Sequence, residues 1–397
     1  MRFFLILCSF ALLFLALQQP CAAAPVDVDP DANIDQLGRL AVVNGRPAIA
    51  YYRYDDETED GDLMYVHAND IYGHSWGAPV PVDEGADVGE DPSLCVVNGH
   101  PAISYYDYAY GRLKYVRAGD INGNTWGSPV VAEDSSEDTG EFTSLAVVNG
   151  NPAIAYYDYY FGFLMYVRAL DANGVNWDDP VEVDYHYDTG GYASMLVVNG
   201  QPAIAYYDFD DGDLKYVRSN DVNGTSWGSP VPVDTEGDKG QTLSMSLVNG
   251  RPAICYLNAS YSDLMYVRAS DVNGDDWDTP KTLDGSGVDV GLTPSLAVVD
   301  GYPAVSYVGD VENRMKYIRA KDVDGDEWGT PISVIGSEFG WFASMCVVQG
   351  RPAFSFTNYD TPGEIEGMMY VRAHDRQGRE WNAPHMDFVP SLLQFAP

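Results

Sequence analysis

Three observations predict an all-β fold, a seven-bladed β-propeller of four-stranded antiparallel blades. One unit, typified by SLAVVNGNPAIAYYD and followed by a YVRA segment, an Asn-Gly turn and a PV-VD segment, recurs through nearly the whole chain after residue 39. Its leading Ser falls at Ser93, Ser144, Ser194, Ser244, Ser295 and Ser344, at intervals of 51, 50, 50, 51 and 49, and Arg39 opens one further copy. Each copy also carries one Trp: Trp76, Trp126, Trp177, Trp227, Trp277, Trp328 and Trp381, with only Trp341 outside the series. Within a copy, β-branched and aromatic runs alternate with Asn-Gly, Asp-Gly and Pro signals, and no helical period intervenes. Tandem four-strand units of this length are the propeller pattern, whereas a β-solenoid uses shorter coils.

Taken in chain order, residues 1–24 read as a signal peptide. Met1-Arg2 is basic, Phe3 to Leu17 is apolar, and Cys21-Ala22-Ala23-Ala24 offers small residues for cleavage. The apolar run is shorter than the roughly 20 residues a helix needs to cross a bilayer, so no membrane span is expected. Residues 25–397 are then a single propeller domain, with repeats starting near 39, 93, 144, 194, 244, 295 and 344. In the fourth copy, strand A is expected over residues 194–198, B over 202–208, C over 214–218 and D over 227–234. Asn-Gly pairs suit the positive φ angles of tight hairpins and join A to B. For the last blade, both Pro25 to Asp29 and Trp381 to Phe388 have the outline of strand D. Trp381 to Phe388 is expected to fill the slot, because it brings the blade Trp, leaving the amino-terminal segment as an outer fifth strand.

The C–D hairpins SNDVNGTSW, at Ser219 to Trp227, and ASDVNGDDW, at Ala269 to Trp277, resemble the Asp box of sialidase-like, bacterial-neuraminidase-type repeat propellers. That box reads Ser-x-Asp-x-Gly-x-x-Trp, and this chain has one residue more between Asp221 and Gly224. The resemblance covers about residues 39–389 and implies blade architecture, not an activity. In such propellers substrates bind on the face formed by the B–C loops and D–A crossovers. An active sialidase would also need converging arginines. Here Arg117, Arg168, Arg218, Arg268, Arg319 and Arg372 recur once per copy and are expected to point outward as ion-pair partners.

The box aspartates Asp70, Asp120, Asp171, Asp221, Asp271, Asp322 and Asp375 are expected to cap turn amides. Calcium needs six to eight oxygen ligands, several loops replace a donor with Tyr72, Gln377, His74, Val175 or Arg379, and the sixth loop alone keeps carboxylates at three alternate positions. Asp322, Asp324 and Asp326 are therefore the calcium candidates, and no other cofactor is expected. On the B–C/D–A face the chain departs from its own repeat. Phe142, Tyr192, Trp341 and Phe342 lie in the crossovers, Tyr185, His186 and Tyr187 in another crossover, and Asp107, Asp158 and Asp208 end strand B in blades two to four. Aromatic faces beside carboxylates suit sugar binding, so these ten residues are the candidate ligand site. No catalytic residue is assigned.

With 59 acidic against 22 basic residues, the net charge of −37 excludes nucleic acid as a partner. Cys95, Cys255 and Cys346 remain after leader removal, an odd number that argues against a disulfide framework. The expectation is a secreted, extracellular or periplasmic, non-catalytic propeller that recognises a glycan or an extracellular protein ligand. The alternatives are a sialidase-like glycoside hydrolase and a calcium-stabilised surface or matrix protein. Oligomeric state is not readable.

Overall fold

The computed structural model describes residues 25–30, 33–34, 38–55, 58, 60–133, 138–285, 290–309, 314–334, 340–361 and 364–381, and the side chains of 340–341, 358–361 and 364–366 are outside that description. Among these residues all regular structure is β, in seven four-stranded antiparallel sheets. In blade 4 the strands are A, Thr189–Val198; B, Gln201–Asp208; C, Asp213–Arg218; and D, Val231–Asp234. Strand A begins five residues before the expected start because two register shifts carry the pairing across the crossover. Strand D begins four residues after the Trp, which makes only an isolated bridge, Trp227 to Ser219.

That detail decides ring closure, and it corrects the expectation. Val26–Asp29 pairs directly with strand C of blade 7, Glu364–Arg372, placing Val26 opposite Tyr370 and Asp27 opposite Met369. The segment Val26–Asp29 is thus strand D of the last blade. Trp381 still fills its usual place, 2 % exposed, its indole 4.4 Å from the Phe354 ring and Nε1 donating to the Gly378 carbonyl at 2.6 Å. The supposed competition was false, since the Trp belongs to the turn before strand D. Residues 382–388 lie outside the described set.

Neighbouring blades are joined by side chains that the repeat delivers in register. The Tyr of each YVRA segment meets the Trp of the next blade edge-on, as in Tyr65 with Trp126 at 5.0 Å and Tyr370 with Trp76 at 5.1 Å. Its hydroxyl donates to a backbone carbonyl of the next C–D hairpin, Tyr65 to Asn122 and Tyr370 to Tyr72. At five of the seven junctions a second link joins the Asp ending strand D to the first Tyr of the next strand B. Tyr105 donates to Asp83 at 2.6 Å, Tyr256 to Asp234 at 2.6 Å, and at the closure Tyr51 to Asp29 at 2.5 Å. Where blade 7 has Phe356 in place of this Tyr, the sequence has Ile335 in place of the Asp, so donor and acceptor are lost together. Buried hydrogen bonds to carboxylates contribute about 1.5–3 kcal/mol each, and losing one partner alone strands the other.

The box aspartates behave as turn caps. Asp120 accepts from the amides of Asn122 and Thr125 and from the Thr125 hydroxyl. Partial burial alone would raise its carboxyl, but these donors outweigh that and bring it down to about 2. The recurring arginines differ from expectation. Arg117, Arg168, Arg218, Arg268, Arg319 and Arg372 donate to carbonyls of their own A–B turn, as Arg117 does to Val97 and Asn98, and Arg268 adds a close ion pair, with Asp324 at 2.8 Å. The turn carbonyls converge where a guanidinium fork can reach two of them, so backbone replaces carboxylate as the partner.

Candidate functional site

The functional geometry begins with a bulge repeated around the channel. In blade 3, Glu141 lies opposite Tyr157 and Ser144 opposite Ala155, so Phe142 and Thr143 together face a single residue of strand B. The same shift recurs in blades 2, 4, 5, 6 and 7. It turns one side chain per blade towards the axis from a left-handed backbone: Asp91 (φ 46°), Phe142 (52°), Tyr192 (52°), Thr242 (47°), Thr293 (43°) and Phe342 (55°). None is Gly, and such conformations cost about 1–3 kcal/mol each, so each of these six side chains is held in place at a cost in backbone strain.

Those six residues, with Arg39 from blade 1, line a pocket of about 300 Å³ at the crossover end of the channel. Its wall is chemically divided. Phe142 and Tyr192 pack at 4.8 Å between ring centroids, with Phe209 behind both at 6.2 and 6.1 Å. Thr242 and Thr293 add hydroxyls, and Phe342 closes the ring towards blade 1.

The side adjoining Phe142 is charged. Asp91 accepts the Phe142 amide at 2.8 Å. Burial raises its carboxyl, while that amide and Arg39 pull the other way. Burial likewise lowers the Arg39 guanidinium, and Asp91 opposes the effect. Both side chains are enclosed by protein yet touch the pocket's solvent. Beside them, Glu141 is pushed up to about 7, first by burial and then by repulsion from Asp91 and Asp138.

Arg39 has a clear sequence cause. In the other blades this position is Ser, whose hydroxyl accepts an amide of the next strand A: Ser93 from Leu145, Ser144 from Met195, and, across the closure, Ser344 from Leu40. Blade 1 gives up that link and gains a cation in the pocket. The signal was present as the one break in the Ser series.

The sequence-derived candidates separate in space. Phe142, Tyr192 and Phe342 meet at the pocket. Trp341 lies on strand A of blade 7, and its side chain is outside the described residues. Asp107, Asp158 and Asp208 are buried under their B–C loops: Asp107 pairs with Lys114 at 2.7 Å, Asp158 accepts the Phe161 amide at 3.0 Å, and Asp208 accepts the Asp210 and Asp211 amides and pairs with Lys215. Tyr185, His186 and Tyr187 stand on the crossover from blade 3 to blade 4, where His186 Nδ1 lies 2.8 Å from Asp184 and stacks on Tyr185.

The calcium candidates are engaged elsewhere. Asp322 accepts the amides of Asp324, Asp326 and Glu327, Asp324 accepts from Asn249 and pairs with Arg268, and Asp326 pairs with Lys281 at 2.7 Å. Among the described residues, no three His, Cys, Asp or Glu side chains converge as a metal site. Chelation is therefore expected to leave the melting temperature within a degree or two. A calorimetric scan with and without EDTA checks this, and a large drop would restore the calcium-stabilised reading.

No protein-family model matches the chain, and no curated protein matches its sequence. Similarity appears at the level of fold. The α-L-arabinanase of Penicillium chrysogenum, solved with arabinobiose, aligns at 18 % identity over 71 % of this chain and 92 % of its own, with a TM-score of 0.50. The endosialidase of phage phi92 aligns at 10 % identity over 94 % of this chain and 70 % of its own, with a TM-score of 0.52. The chain thus shares the β-propeller fold of these two enzymes, with a pocket at the channel mouth.

Proposed function

We propose that this is an exported, non-catalytic propeller that binds a saccharide unit in the channel-mouth pocket. The observation that carries the reading is the pocket's mixed lining, in which the aromatic pair Phe142 and Tyr192 stands between the charged pair Arg39 and Asp91 on one side and Thr242 and Thr293 on the other. A sugar ring has both an apolar face and hydroxyl edges, and a pocket near 300 Å³ is within the range that encloses small ligands. The six bulges support this, since strain held at one ring of side chains is a mark of functional sites. Carbohydrate enzymes occur among propellers of the same fold, which agrees with a glycan ligand. The test is a glycan array followed by calorimetry, with arabinobiose and sialyllactose among the probes. Tyr192→Ala is expected to weaken binding at least about tenfold, the loss of one stacking contact. An array without a single glycan hit would overturn the reading.

One observation favours a second reading, glycoside hydrolysis. Glu141, raised to about 7 beside Asp91, has the protonation behaviour of a general acid. In that reading Glu141 protonates the departing glycosidic oxygen and Asp91 is the partner carboxylate. Release of reducing sugar from a bound glycan would favour it.

A further inference from the structure

Blade 3 departs from the repeat in a way the pocket does not use. Its B–C loop reads Tyr159-Tyr160-Phe161-Gly162-Phe163, whereas the same loops of blades 2, 4 and 5 carry Arg112, Asp210 and Asp211, or Asp263. In a chain of net charge −37 this loop holds no charge, yet Tyr159, Tyr160 and Phe161 are 62 %, 55 % and 49 % exposed. The loop is firmly held. The Phe161 amide donates to the buried Asp158 carboxylate, Gly162 donates to the Asp158 carbonyl at 2.8 Å, and the Gly162 carbonyl accepts the Thr189 amide at 3.1 Å. Gly162, at φ +70°, sits so close to the next crossover that a Cβ there would lie 2.8 Å from the Asp188 nitrogen and 3.3 Å from the Tyr187 ring. Tyr187, 72 % exposed, therefore extends the same surface.

Packed rings connect this surface to the pocket. Phe142 packs on Tyr157 at 6.2 Å and Tyr157 on Tyr159 at 6.2 Å, so one aromatic cluster runs from channel mouth to outer rim. Exposed apolar patches in soluble proteins mark binding sites, and ordered rings need little further ordering when a ligand arrives. Residues 157–163 and 184–192 contain no Lys or Arg but do contain Asp158, Asp184 and Asp188. Such a surface repels sulfated, sialylated or uronate polymers and anionic lipid. Its rings and hydroxyls suit the alternating apolar faces and hydroxyl edges of an uncharged glycan.

Resting on the saccharide reading above, we infer that the ligand is the end of a neutral polysaccharide chain, with its terminal unit in the pocket and the following units stacked over blade 3 on Tyr159, Tyr160 and Tyr187. The experiment is calorimetry with two neutral ladders, arabino-oligosaccharides and cello-oligosaccharides from monosaccharide to hexasaccharide, on the wild-type chain and on the double variant Tyr159→Ser/Tyr160→Ser. Both positions are exposed, and a melting curve confirms that the variant is folded. The expected result is a rise in affinity of at least about tenfold with length in one ladder, lost in the variant, with monosaccharide affinity unchanged. Equal affinity along the ladder, or a length gain that survives in the variant, overturns the inference while leaving the pocket reading intact. No binding by any member of either ladder overturns the inference, and the pocket reading then stands or falls with the glycan array. Tighter binding of polysialic acid, or of phosphatidylcholine vesicles, overturns the neutral-chain assignment.

Discussion

A chain lacking residues 25–30 is expected to unfold at markedly lower urea concentration than the chain beginning at Pro25, with a loss of about 3–6 kcal/mol. Two contributions set the size. Val28 is buried to 4 % exposure, and burying a Val side chain contributes about 1.5–3 kcal/mol. Asp29 is buried with its carboxylate on the Tyr51 hydroxyl, and that link contributes about 1.5–3 kcal/mol. The segment also supplies the only partner found for the free edge of strand C in blade 7 among the described residues. Without it, blade 7 holds blade 1 through Leu40 to Ser344 and Tyr370 to Tyr72. The unfolding rate should therefore rise as well, because the break falls where first and last blades meet. Asp29→Ala should reproduce about half of the loss. An unchanged urea midpoint in the truncated chain would show that the closure contributes nothing.

Much of this architecture was legible because a repeat repeats its physics. One reading of the Trp, the box Asp and the Asn-Gly turn predicted every blade, including the role of Asp120 as a cap for turn amides. The errors have a common origin, the assignment of a residue to an element from its neighbours in sequence. Trp381 was grouped with strand D, although it sits in the turn before that slot and leaves the slot open for Val26–Asp29, more than 300 positions from their partners in strand C. Asp158 and Asp208 end strand B next to exposed loops, but their side chains turn under those loops to hold the amides. Arg39 was counted as a copy of the unit, and its difference from Ser went unused. Glu141 owes its raised pKa to burial and to Asp91 of the preceding blade, fifty residues away, which no local pattern displays.

Glu141→Gln is expected to separate the two functional readings and to change the pH dependence of the fold in a defined direction. Glu141 faces Asp91 and Asp138, and its charge is felt by Tyr106 and Tyr157 on the adjoining strands B. Its ordinary value of 4.5 becomes about 7 in the folded chain, so the folded state holds this proton more tightly than the unfolded chain does. Stability from this group is complete below pH 4.5 and is lost as pH rises through about 7. Gln resembles the protonated acid in shape and carries no charge. Wild type and variant should therefore be equally stable at pH 4.5, and the variant should be the more stable one at pH 8. Taking the difference between them at each pH cancels the titration of the other carboxylates. A difference that stays flat across this range would show that Glu141 is not perturbed. In a binding protein, the variant should keep its glycan and lose the change in affinity near pH 7. In a hydrolase, it should keep the glycan and lose product release by a factor of about 10² or more, because no proton reaches the leaving oxygen.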